Sequence, residues 1–237
     1  PMARQYEFSS KGLPYILVLP QMIVVFVFFF WPAFQAMWQS LYIQDAFGLS
    51  LTFVGVENYT KLFKDPAYLE SLIRSSVFSA AVAFTAMTAA LFLAVQANRK
   101  MRGETFYKTM LIWPYAVATF VAGILWLFLF NPTVGIIAYF VKHKLGFEWN
   151  HLVKSNQAFF LVTLAASWKQ ISYNFVFFLA GLQNVPTTLI EAAAIYGAGP
   201  VRRFCTIVFP LLSPTTFSLL VLNIIYDFFE KFPIIHQ

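Results

Sequence analysis

Long apolar stretches separated by short polar loops organise this chain. Uncharged runs lie between Lys11 and Asp45, Arg74 and Arg99, Lys108 and Lys142, and Arg203 and Asp227, and a further run carries the single charge Lys169. A helix needs about 20 mostly apolar residues to cross the hydrocarbon core of a bilayer. The pattern predicts an all-α, polytopic transmembrane helical bundle with five spans, at about 14–37, 75–98, 109–130, 157–182 and 204–226. No interior stretch alternates as a strand does, so residues 1–237 read as one transmembrane domain. The first span reads as retained, because its apolar run exceeds a signal-peptide core and no small-x-small site closes it.

Composition narrows the class. The chain is 59% hydrophobic and 11% charged, where soluble domains carry about 25% charged residues. The net charge of +6 comes without any basic run longer than a pair, which argues against a nucleic-acid partner and for an orientation bias in the bilayer. Arg4, Lys11, Arg99, Lys100, Arg102, Lys108, Arg202 and Arg203 fall on one side, and Lys61, Lys64, Lys142, Lys144, Lys154 and Lys231 on the other. The short, dense 99–108 loop decides the orientation, with the N-terminus in the cytoplasm. A single cysteine, Cys205, excludes an intrachain disulfide and a multi-cysteine metal site. His143 and His151 are expected to be solvated in an outer loop, and no metal site is expected.

The polar segment before the fifth run is patterned. Thr188 and Glu191 have the spacing of a capping box, which predicts a short helix over about 189–196. Gly197 then sits where a left-handed residue ends a helix, and Pro200 opens a second one. Pro210 and Pro214 are expected to interrupt the approach to the last span, with Ser213 capping its start. Small Ala192, Ala193 and Ala194 would let another protein approach the helix backbone closely.

The spacing is specific. Glu191-Ala192-Ala193, three residues, Gly197, nine residues, Ile207, one residue, then Phe209-Pro210 resembles the EAA loop of ATP-binding-cassette importer permeases. Leu13-Pro14-Tyr15, Trp31-Pro32, Trp113 to Ala118, Phe130-Asn131-Pro132 and Ser167 to Phe175 extend the resemblance, which is to the permeases of bacterial sn-glycerol-3-phosphate importers. It implies a bacterial inner-membrane subunit that is not itself an enzyme. ATP and Mg belong to a partner ATPase, and this chain binds no cofactor. The implied partners are a second permease subunit, a cytoplasmic ATP-binding subunit dimer, a periplasmic solute-binding protein and the lipid bilayer. Glu191, Ala192, Ala193, Gly197, Ile207 and Pro210 would dock the ATPase. Neutral sugars or oligosaccharides are the alternative solutes, and a non-transporting membrane scaffold is the alternative role. Phe209 departs from the usual Leu of the motif, and Tyr196 stands where relatives place Asp. The resemblance also implies a sixth span, so the chain is expected to be C-terminally incomplete.

Lys169 supplies the candidate chemistry within the spans. A charge at bilayer depth costs about 2.5–3.5 kcal/mol on insertion scales, so it should face protein or water. Helical spacing groups it with Gln170, Tyr173 and Asn174 in one polar stripe. This stripe is expected to line a solute cavity in which Lys169 attracts a phosphate. The alternative is a structural lysine bonded to carbonyls or to a carboxylate of the partner permease. In the second run, Ala81, Thr85 and Ala89 have small-x-x-x-small spacing, expected for close helix packing. Pro114 is expected either to kink the third span or to open its first turn.

Overall fold

The computed structural model describes residues 12–45, 50–99 and 102–229. The basic residues Arg4, Lys11, Lys100 and Lys231 lie outside them. The chain divides into two compact units, residues 1–72 and 73–237, each treated by itself.

In the first unit, α1 (Leu13–Val25) continues through a π turn (Phe26–Phe30) into α2 (Trp31–Gln39). The π turn has a local cause. Pro32 has no N–H, and its ring would collide with the carbonyl one α-turn back. Widening the preceding turn relieves that collision, and Trp31 N–H reaches the Phe26 carbonyl. No residue of α1 or α2 is buried, which suits a helix apolar all round and surrounded by lipid. A short antiparallel hairpin follows, β1 (Tyr42–Gln44) with β2 (Leu51–Phe53). The hydropathy pattern does not reveal it. Its strands are three residues long, and the cross-strand ring pair Tyr42–Phe53, centroids 5.3 Å apart, helps to hold them. Asn58, in α3 (Glu57–Lys64), donates to the carbonyls of Ser40 (2.8 Å) and Tyr42 (3.0 Å).

The second unit is built around α4 (Pro66–Ala97, most of whose length it contains), α8 (Ser155–Gln183) and α11 (Phe209–Phe229). Ala90, Ala94 and Ala97 form one core with Phe175, Phe178, Leu179 and Leu182 of α8 and with Leu212 and Leu219 of α11. The packed face of α4 therefore takes in the predicted row at Thr85 and the row one position on. Val82, Ala86, Ala90 and Ala94 are fully buried, Ala81 and Ala89 are half-buried, and Thr85 Oγ1 lies 2.8 Å from Ser167 Oγ of α8. Alanines at this spacing leave room for the large α8 rings. Gly181 leaves room for Leu212 of α11: a Cβ there would lie 2.8 Å from Leu212 Cδ2.

The third predicted span is broken. α5 (Glu104–Ala116) and α6 (Thr119–Leu129) meet at a bend of 100°. Pro114 lies in the last turn of α5 rather than the first, and the backbone turns extended at Val117 and Ala118. The helix runs on past Pro114 to Ala116, because the missing N–H and the ring of a proline disturb only the turn before it, and a new helix starts at Thr119. Both halves pack on α8. Beyond α6, α7 (Ile136–Leu145) leads into a tightly bonded loop. Gln157 in this region accepts from the Asn150 amide (2.6 Å) and donates to the Glu148 carbonyl (3.0 Å). His151 is correspondingly buried, 8% exposed, rather than solvated. His143 is exposed and stacks on Tyr139 at 4.0 Å.

Among the described residues, three helices are long and apolar enough to cross a membrane: Leu13–Gln39, Pro66–Ala97 and Pro200–Phe228. Two bent pairs, Glu104–Ala116 with Thr119–Leu129 and Ser155–Gln183 with Thr187–Ile195, raise the number to five if each pair is one span.

Candidate functional site

Two places gather the residues singled out by sequence. The first is the polar segment between α8 and α11. Here α9 spans Thr187–Ile195. It begins earlier than a Thr188 capping box allows: Pro186 is the N-cap residue, no side chain caps the helix, and Thr188 lies inside it. Pro186 has the extended ψ that an N-cap residue adopts, so the backbone enters the helix without a side-chain acceptor. The other end follows expectation. Gly197 has φ +79°. Its N–H donates to the Ala194 carbonyl and the Ala198 N–H to the Ala193 carbonyl, both at 3.0 Å, the paired bonds of a Schellman ending.

Ile190 packs against the core and Ala193 is half-buried, while Glu191, Ala192 and Ala194 face outward. Ile195, Tyr196 and Val201 are 86%, 91% and 76% exposed. Pro200 opens α10 (Pro200–Arg203), which runs through a second π turn (Phe204–Val208) straight into α11. The expected interruption at Pro210 and Pro214 and the Ser213 cap are therefore absent: the helix continues through all three residues. At Pro210 the reason repeats that at Pro32. The π turn directly precedes Phe209-Pro210, and Phe209 N–H reaches back to the Phe204 carbonyl. Ile207 lies within the π turn, and Pro210 is exposed just beyond it. Cys205, in the same turn, is a free, exposed thiol.

The second place is the middle of α8. The predicted polar stripe divides into two faces. Lys169 and Tyr173, one turn apart, are half-buried. Lys169 Nζ donates to Thr119 Oγ1, at the start of α6 beyond the break. The Tyr173 ring lies 5.9 Å from Tyr115 of α5 and 6.0 Å from Tyr226 of α11. Gln170 and Asn174 turn instead into the interface with α11. Asn174 Nδ2 donates to Asn223 Oδ1 (3.2 Å), Asn223 Nδ2 donates to Asn174 Oδ1 (3.0 Å), and Gln170 Nε2 also donates to Asn223 Oδ1. Asn174 and Asn223 are both 0% exposed. Sequence reasoning missed Asn223, although its isolation within the apolar stretch Phe217–Tyr226 was a readable signal. It also missed Thr119, which nothing in the sequence pairs with Lys169. Among the described residues, no group of His, Cys, Asp and Glu is placed to hold a metal ion.

A helical membrane chain with a bent helix pair, a half-buried lysine midway along α8 and an outward-facing two-helix loop has the architecture of a solute permease. The chain belongs to the family of binding-protein-dependent transport system inner membrane components, whose model matches residues 86–230. It is 57% identical over 233 residues to the sn-glycerol-3-phosphate transport system permease protein UgpA of Brucella abortus biovar 1 (strain 9-941), covering 98% of this chain and 79% of that protein. The protein of the same name from Rhizobium meliloti (strain 1021) is 56% identical over 230 residues, covering 97% and 78%. Its counterpart from Yersinia pestis is 54% identical over 228 residues, covering 96% and 77%. The fold is similar to a chain in the crystal structure of a bacterial ABC transporter involved in the import of the acidic polysaccharide alginate. The TM-score is 0.76 at 18% identity, over 94% of this chain and 76% of the other. This chain is thus a multi-pass inner-membrane permease component of a binding-protein-dependent transport system.

Proposed function

We propose that this chain is one of two permease subunits of an importer for sn-glycerol-3-phosphate, driven by a cytoplasmic ATPase dimer that binds the ATP and Mg. A periplasmic binding protein delivers the solute, and the N-terminus lies in the cytoplasm. The observation that carries the solute assignment is the identity of 54–57%, over nearly the whole chain, to permeases of that name. Lys169 supports an anionic solute. It stands midway along the 29-residue α8, and its ammonium is held at Thr119, the first residue of α6. Ala118 provides no side-chain cap there, so the first-turn amides of α6 lack an intrahelical partner. An ammonium beside free amides at a helix start suits a phosphate. Lys169 and Tyr173 are the solute-facing residues in this reading, and Gln170 and Asn174 support them from the α11 side.

In the same reading α9 seats in a cleft of the ATPase. Ile190 and Ala193 fix it to the permease, and Glu191, Ala192 and the exposed Ile195 and Tyr196 contact the partner. Gly197 sets the angle between α9 and α10, while Ile207 and Pro210 shape the helical rod that carries the motion into the membrane. Alternating access then follows from closure of the ATPase dimer.

The test is uptake of labelled sn-glycerol-3-phosphate into proteoliposomes containing the whole transporter and its binding protein. Saturable, ATP-dependent uptake that excess neutral disaccharide does not inhibit supports the assignment. Uptake of the neutral sugar in its place overturns the solute, and uptake of neither overturns the transport role.

A further inference from the structure

We infer that Asn223 is a positioning residue: its carboxamide sets the rotation of α8 against α11 and so holds Lys169 and Tyr173 toward α5 and α6. The inference rests on the proposed function in taking Lys169 and Tyr173 as solute-facing.

The carboxamide of Asn223 is used to capacity. Oδ1 accepts from Gln170 and Asn174, and Nδ2 donates to Asn174 Oδ1 and, at 2.7 Å, to the Leu219 carbonyl of its own helix. The bond to Leu219 matters for direction. It ties the amide to the backbone of α11, so α8 meets a fixed receptor and not a swinging side chain. Gln170 and Asn174 are spaced one turn apart, so both read that receptor from one face of α8. Tyr226, three residues beyond Asn223, meets Tyr173 beside it.

Apolar packing alone specifies the rotation of a membrane helix weakly, because lipid tails are as apolar as a leucine face. Paired amides are directional and costly to leave unmade once buried. A slip of one residue along α8 turns the helix by about 100°. That turn would carry Tyr173 into the place of Asn174 and swing Lys169 away from Thr119. The amide cluster therefore selects which of two adjacent polar stripes faces the solute.

The test uses the complete transporter in proteoliposomes and two readouts. The first is the uptake KM for sn-glycerol-3-phosphate. The second is labelling by a small thiol reagent of cysteines placed singly at Tyr173 and at Ser172, which is 1% exposed and takes the place of Tyr173 after that turn, with Cys205 replaced by serine. N223L, nearly isosteric and apolar, is expected to raise KM at least tenfold with the maximal rate within twofold. It should lower labelling at position 173 and raise it at 172. N174L should do the same, and the double variant should be no worse than either single one. Unchanged labelling overturns the inference, whether KM moves or not, and so does an equal change at both positions. Shifted labelling with unchanged KM upholds the rotation but sinks the solute-facing reading of Lys169 and Tyr173. If N223L does not assemble, N223T, which keeps one hydrogen-bonding group, is judged by the same two readouts.

Discussion

Lys169 and Thr119 are joined by a hydrogen bond between residues 50 apart in sequence, and the break in the third span makes it possible. Had α5 continued straight, Thr119 would lie inside a helix with its backbone N–H engaged. Because α5 ends at Ala116, Thr119 opens a new helix beside the one charged group of the fourth span. A charged donor strengthens such a bond to about 1.5–3 kcal/mol.

The first expectation follows directly. Lys169→Met should raise the uptake KM for sn-glycerol-3-phosphate by roughly tenfold or more, equivalent to about 1.4 kcal/mol, in a complex assembled at normal levels. Thr119→Val should have a smaller effect, because the ammonium survives. Wild-type uptake by a well-assembled Lys169→Met transporter refutes the role.

Gly197 is required by its backbone and not by space: φ is +79°, and a Cβ added there would meet nothing within 4 Å. Gly197→Ala should cost about 1–2 kcal/mol at that residue, and Gly197→Asn less, because Asn tolerates the left-handed region. The strain falls on the angle between α9 and α10. The expected outcome is ATP hydrolysis that continues while uptake per ATP falls, and the ratio of the two rates checks it.

Pro210 is expected to maintain the π turn at Phe204–Val208. Pro210→Ala restores an N–H and removes the ring clash, so the wide turn loses its cause. Reversion to an α turn shifts the flanking segments by one residue, about 100° of rotation. Crosslinking from a cysteine at Ala193 to the ATPase should then weaken in the assembled complex. An unaltered crosslink would show that the π turn does not depend on this proline.

His151 gives a pH signature. Burial pushes its imidazole below the ordinary value of 6.5, and the Phe130 backbone opposes this in part. The unfolded chain thus binds the proton more readily than the folded one. The stability contributed by neutral His151 is complete above about pH 6.5 and declines as pH falls from there through the lowered folded value. Thermal unfolding of the reconstituted transporter between about pH 8 and pH 5 should show this decline. A His151→Gln variant should show a flatter one.

The membrane class, the run of apolar segments and the left-handed Gly197 were legible in the sequence, because each depends on composition or on a few adjacent residues. The helix start at Pro186 was not, since capping-box spacing at Thr188 and Glu191 competes with a proline that enters the helix from an extended backbone. The prolines misled for a related reason. Their cost to a helix is local, but a turn widened by one residue accommodates Pro32 and Pro210 and lets the helix run on, and residue spacing does not show that widening. The small-residue stripe of α4 was read in part: Thr85 does meet α8 at Ser167, but spacing alone does not say which alanines face Phe175 and Phe178.

The sequence by itself determined that this chain crosses a bilayer, where its polar loop lies and which glycine turns that loop, since hydrophobicity and backbone preference act over short range. Only the tertiary structure decided that Lys169 meets Thr119, that Gln170 and Asn174 close on Asn223, and that His151 is buried. Those pairings join distant segments, and helical periodicity tells which residues share a face without telling which neighbour that face will meet.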